Sequence, residues 1–232
     1  MIRIHSGFPF WLIILIIIFC GFPLAATADF CPVGQVWPGY DPDWVDPGTI
    51  TGGGETFFAL VDSYEGCTCP LGFQLTTVDF FMTISEESPL PFTITMSMGL
   101  REAVPDPSGQ LTWIPGPTVC ETPVRDFTLY IPKDFVGFGI ALECDCYEMG
   151  SPAFLFFTIH SEMDPPGGFY TAGGEAPNLG RFLTTAEDQW VDLVAEGILT
   201  SGDLVISGFA SCCEPPVTSN TARWGSIKAL YR

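Results

Sequence analysis

The chain predicts an all-β fold, an antiparallel two-sheet sandwich of jelly-roll-like type linked by disulfides. Three observations carry that reading. Apolar residues recur at every second position in short segments, the period of a strand with one buried face. Gly and Pro, 25 and 21 of 232 residues, separate those segments, and no long segment has a helical period. Cysteine is the third: eight of the nine follow residue 28, an even number in a chain that begins like an exported one.

The clearest segment is 136–146, VGFGIALECDC. Val136, Phe138, Ile140 and Leu142 alternate with Gly137, Gly139 and Ala141, and the alternation runs into Cys144 and Cys146. It predicts a long inner strand whose end is covalently tied elsewhere. The other elements follow in order. Residues 51–55 hold three consecutive glycines and predict a loop, and 56–62 predict a strand. Over 71–84 the apolar phase slips between Leu75 and Val78, which predicts a β-bulge or a bend. Phe92, Ile94, Met96, Met98 and Leu100 alternate with Thr93, Thr95, Ser97 and Gly99, a half-exposed strand. Residues 104–117 read as a Pro/Gly loop with a short edge strand at 111–114; Phe127, Leu129 and Ile131 mark another strand. Residues 153–159, apolar on both faces, predict a central strand. Residues 163–177 read as loop, 185–188 as a single helical turn, and 189–194 and 204–209 as strands.

The start of the chain reads as an export signal. Arg3 precedes an apolar run from Trp11 to Cys20, and Ala26-Thr27-Ala28 has the small-x-small form of a cleavage site. Pro9 and Pro23 interrupt the run as a membrane span. The expected organisation is a signal peptide at 1–28, a β-sandwich domain at 29–217 and a C-terminal tail at 218–232. The mature form is expected to be secreted or held at the cell surface, and not to span a membrane.

Charge narrows the partners. The formal net charge is −19, from 27 acidic and 8 basic residues. Phosphate backbones need Lys and Arg, so nucleic acid is excluded as a partner. A glycan or a cell-surface protein is the expected kind of partner.

The cysteines of the mature chain are Cys31, Cys67, Cys69, Cys120, Cys144, Cys146, Cys212 and Cys213. Neighbours in C-x-C and C-C pairs bridge each other poorly, so each is expected to reach elsewhere, among 105 pairings. Zinc thiolate is the competing use of two C-x-C pairs; a single mature histidine argues against it. No cofactor is expected, with calcium the alternative. Asp41, Asp43 and Asp46 cluster in a Pro/Gly loop of the kind that offers oxygens to hard cations, although the spacing is not an EF-hand.

Catalysis finds little support. His160 stands beside Ser161 and Asp164, but no G-x-S-x-G elbow is present. With 27 acidic residues some carboxylate pair will lie near glycosidase spacing; Asp43 and Asp46 with Trp44, and Asp188 and Asp192 with Trp190, are pairs that also stand near an aromatic. The expected function is a non-catalytic structural or binding protein. The alternatives are a carbohydrate-binding module, with or without calcium dependence, with Trp44 and Trp113 as platform residues, and a secreted hydrolase. Trp190 is expected in the core, and Asp192 is expected to cap or hydrogen-bond a turn.

The tail carries Arg223, Lys228 and Arg232, with Trp224, Ile227, Leu230 and Tyr231 at helix-like spacing. Trp190-Val-Asp-Leu193, Gly202-Asp-Leu-Val-Ile206, Cys212-Cys213 and the ending Trp224-Gly-Ser-Ile-Lys-Ala-Leu-Tyr-Arg232 resemble a module of uncharacterised exported proteins of uncultured bacteria. That resemblance implies export and a sandwich, with no function attached. Its pattern has a cysteine before the W-x-D-L element, absent from 172–189 here, so it leaves Cys31 or Cys120 as the expected partner at 212–213.

Overall fold

The computed structural model describes residues 31–34, 50–62, 64, 67, 69–85, 87–130, 136–172, 179–186, 189–199 and 203–214. Among these residues there is no helix; fifteen strands run through them in two antiparallel sheets and one small ladder. The expected signal segment, Trp44, the aspartates 41, 43 and 46, Ile131 and the tail lie outside the described residues.

The first sheet runs β1 (Cys31–Gly34), β15 (Ile206–Cys212), β4 (Phe73–Thr83), β10 (Glu162–Phe169) and β2 (Ile50–Gly52), with β8 (Val136–Ala141) on the other side of β4. The second runs β13 (Gln189–Asp192), β12 (Phe182–Ala186), β3 (Glu55–Val61), β9 (Ala153–Ile159), β5 (Phe92–Pro105) and β6 (Trp113–Glu121), with β7 (Arg125–Leu129) also on β5. A short ladder joins β11 (Thr171–Ala172) to β14 (Asp203–Leu204).

The inner faces meet through phenylalanines. Phe80 of β4 stacks on Phe157 of β9 with ring centroids 3.5 Å apart, and Phe57 lies 5.7 Å from Phe169. Phe127 of β7 meets Phe138 of β8 edge-on at 5.3 Å. Burying each such ring is worth about 1.5–3 kcal/mol. β9 is buried on both faces, as its unbroken apolar run predicts. Its Leu155, Phe157 and Ile159 belong to the main core. Phe154 and Phe156 join Phe58, Leu60 and Leu183 in a second cluster, which Leu111, Trp113 and Trp190 help to cover. The Arg101 guanidinium sits over Phe58 and Phe156, 5.7 and 5.4 Å from their centroids.

The phase slip in β4 is a bulge at Thr76. Phe209 pairs with Thr77 while Ala210 pairs with Leu75, leaving Thr76 as the extra residue. Its hydroxyl donates to Phe209 O at 2.8 Å, and its carbonyl accepts Leu142 N–H at 3.0 Å. The glycine loop is also present: Gly52, Gly53 and Gly54 all have positive φ, a run that side chains with a Cβ would oppose.

Several expectations are corrected. The 136–146 segment is not a long inner strand: β8 stops at Ala141 and pairs with β4 alone. Burial nevertheless alternates on to Cys144, and Leu142 N still donates to Thr76 O at 3.0 Å after the ladder ends. The 92–100 strand is half-exposed only at its start; from Met96 to Leu100 both faces are buried. Residues 104–117 form the hairpin of β5 and β6 rather than a loop with a short strand. β6 is an edge strand with register shifts, the setting in which Pro115 and Pro117 are tolerated. Much of 163–177 is strand β10, with Pro165 and Pro166 in the irregular stretch between its pairs to β2. Thr185 and Ala186 belong to β12, not to a helical turn.

Sulfur ties the strand ends. Cys31 bonds to Cys67, Cys69 to Cys212, Cys120 to Cys144, and Cys146 to Cys213. No cysteine bonds to its near neighbour, as local geometry requires. The partners at 212–213 are Cys69 and Cys146, however, not Cys31 or Cys120, because the start of β4 pairs with the end of β15 and, through Phe73, with Tyr147 of the segment after β8. The Cys120–Cys144 bond crosses from the second sheet to the first.

Two outcomes follow. Non-reducing peptide mapping is expected to recover these four pairs. Phe157→Ala is expected to lower unfolding free energy by about 3–5 kcal/mol in denaturant titration, the loss typical of a large buried ring.

Candidate functional site

A surface concavity lined by aromatic and acidic side chains lies where the β5–β6 hairpin meets the segment between β8 and β9. Its volume is about 470 Å³, and Glu102, Ala103, Trp113, Tyr147, Glu148, Ser151 and Pro152 line it. Its shape is set by backbone bonds. Tyr147 exchanges both main-chain hydrogen bonds with Phe73, at 2.8 and 2.9 Å. The carbonyl of Pro152 accepts from Ala103 N at 3.2 Å and from the Tyr147 hydroxyl at 2.9 Å. Tyr64 donates to Ser151 O at 2.7 Å. Gly72, at φ +99°, is needed here, since a Cβ would run into the Tyr147 carbonyl. Cys146, bonded to Cys213, holds the residue just before Tyr147.

Trp113 is half-buried. Part of it packs on the outer cluster and part lines the hollow. Glu102 and Glu148 are exposed. Burial, and then the Glu102 and Glu148 carboxylates, hold the Tyr147 phenol above the usual tyrosine range. Burial chiefly, then Tyr147 and Asp62, does the same to Tyr64. Two aromatic side chains, two carboxylates and a carbonyl-rich floor can hold a polar ring by stacking and hydrogen bonding; they offer no nucleophile and base in contact.

Of the residues singled out from sequence, the structure puts Trp113 in this hollow and Trp190 elsewhere. Trp190 meets Phe58 edge-on at 5.3 Å, in the outer cluster. Asp192, buried, accepts from Gly180 N at 2.6 Å and Val194 N at 2.9 Å, and so closes the turn after β13. The calcium candidates Asp41, Asp43 and Asp46, and Trp44, lie outside the described residues. The Cys31, Cys67 and Cys69 sulfurs lie within 4.8 Å of one another, but all three are consumed in disulfides. Glu102, Tyr147 and Glu148 were not singled out. The available signal was Tyr147-Glu148 directly after the second C-x-C, a position that a disulfide would immobilise.

His160 does meet a serine, though not the adjacent Ser161. Its Nε2 lies 3.0 Å from Ser97 Oγ, which donates to Glu121 Oε1 at 2.7 Å. With the Glu121 carboxylate ionised, the single hydroxyl proton goes to it, and His160 would then face Ser97 as the donor. A catalytic triad needs the opposite, a bare nitrogen facing the hydroxyl and the acid behind the imidazole. Ser97 is also fully buried.

The fold and the hollow define a disulfide-linked β-sandwich with an aromatic, acidic surface concavity. No family model matches the chain, and no curated protein matches it. Among solved structures it is similar to the cysteine protease and lectin-like domains of Cwp84, a surface layer associated protein of Clostridium difficile, at 8% identity and a TM-score of 0.45. That likeness covers 75% of this chain and 37% of the other, so the chain spans little more than a third of that protein's length.

Tyr147→Phe is expected to cost about 1 kcal/mol at neutral pH, the loss of one hydrogen bond. The raised phenol gives stability that is full below the unfolded tyrosine value of about 10 and is lost as pH rises through the folded one. The gap between wild type and variant should therefore narrow in alkaline denaturant titrations.

Proposed function

We propose that the chain is an exported, non-catalytic β-sandwich domain that acts at or beyond the cell surface by binding carbohydrate through the Trp113 hollow. The observation that carries this is the meeting of Trp113 and Tyr147 with Glu102 and Glu148 in one concavity of about 470 Å³. Sugars present apolar faces that stack on aromatic rings and hydroxyls that bond to carboxylates and carbonyls. A volume of this size suits one or two sugar units. Export is supported by eight paired cysteines, since such bonds persist in oxidising compartments, and by the signal-like start of the sequence. Calcium enters as a second requirement only through the 41–46 aspartates.

The test is a glycan array read with and without chelator, followed by titration of the best ligand. Trp113→Ala is expected to weaken binding by about thirtyfold, as for a central aromatic anchor. Because Trp113 also packs on the outer cluster, Trp113→Phe keeps part of that packing and should weaken binding less. Flat array profiles in both conditions reject the reading, as does full affinity in a folded Trp113→Ala protein.

A further inference from the structure

The glycan reading leaves the charge of the ligand open, and the hollow's lining narrows it. Glu102 and Glu148 both stand exposed on its walls, and no Lys, Arg or His lines it. The single ion pair among the described residues, Arg181 with Asp62, lies outside the lining. Neither side-chain carboxylate has a hydrogen-bond or ion-pair partner among the described residues; the Glu148 main-chain carbonyl accepts from Ser151 N at 3.3 Å. The nearest guanidinium in sequence, Arg101, is spent over Phe58 and Phe156. Trp113 and Tyr147 add ring faces, which carry negative potential. The net charge of −19 deepens the field around them.

An anionic sugar, a uronic acid or a phosphosugar, would meet two uncompensated carboxylates and be repelled. A neutral sugar would leave both without a counter-charge. An alkylammonium group satisfies every part of the lining at once: salt bridges to the two carboxylates and a cation–π contact with either ring. We infer that the hollow selects carbohydrates bearing a free, protonated amine, such as unacetylated amino sugars, over their N-acetylated or anionic counterparts. This rests on the glycan reading and deepens it. The selectivity resides in Glu102 and Glu148; Trp113 supplies the stacking surface that either form of the sugar would use.

Calorimetric titration of the full chain with a glucosamine tetramer and with its N-acetylated counterpart tests the inference. The free-amine form is expected to bind about tenfold tighter, the scale of a partly desolvated cation–π contact joined to ion pairs. The Glu102→Gln, Glu148→Gln double variant is expected to bring the ratio of the two affinities close to one, whatever it does to the affinity for the acetylated tetramer itself. Both positions are exposed, so the variant should fold, with the four disulfides as the check. Equal affinity for the two tetramers overturns the inference and leaves the glycan reading standing. So does a preference that survives in the double variant, which would assign it to the diffuse charge of the whole surface. Binding of neither tetramer overturns the inference, and a flat array alongside it overturns the glycan reading as well. A lysine-rich peptide that binds more tightly than the free-amine tetramer also overturns it, because the hollow would then take a protein.

Discussion

The structure depends on one contact layer, the phenylalanines that close the first sheet on the second. Phe80 belongs to the most connected strand of its sheet, β4, which pairs with β15, β10 and β8. Phe157 belongs to β9, which lies between β3 and β5. Stacking them joins the centres of both sheets, and Phe57, Phe169, Phe127 and Phe138 extend the closure outward. Such a layer is non-directional in its driving force but demanding in shape, since the interior must fill at the density of a solid. It fixes how far apart the sheets lie, and so which chain ends come close enough to be bonded through sulfur.

The disulfides secure what the aromatic layer arranges. Three of the four gather the ends of β1 and β15, the segment before β4 and the segment after β8 at one end of the first sheet. The fourth, Cys120–Cys144, staples the sheets together near the edge where β7 faces β8. The hollow sits beside the 144–152 segment, which holds few ladder bonds of its own. Two cysteines and the Phe73–Tyr147 bridge hold it instead. A rigid surface site on a non-repetitive stretch follows, because cross-links remove conformational freedom that a ladder would otherwise have to remove.

The sequence spoke most clearly where burial is one-sided or complete. The alternation at Leu75 and Val78 located the bulge at Thr76, since each extra residue in a strand inverts the facing of those that follow. The continuous run of β9 marked a strand covered on both faces. Proline misled in β6 and β10, where Pro115, Pro117, Pro165 and Pro166 lie at a sheet edge or in an irregular register. The absence of an N–H is harmless where no partner strand awaits it, and a sequence does not record which strands are edges. The run 136–146 misled in the opposite sense: its alternation of buried and exposed residues continues to Cys144, past the end of the ladder at Ala141.

What the sequence determined by itself is local and additive: period-two segments, the turns between them, an even set of cysteines barred from bonding to their neighbours, and an acidic surface. Sheet order, the four pairings, and the meeting of Trp113 with Glu102, Tyr147 and Glu148 were decided only in three dimensions. Trp113 and Tyr147 stand 34 positions apart, one on strand β6 and the other on the segment between β8 and β9. Their proximity comes from the hairpin of β5 and β6 and from a cystine-anchored segment packed beside it. Long-range contact is set by which faces pack against which, and that choice minimises the free energy of the whole core rather than of any stretch that could be read alone.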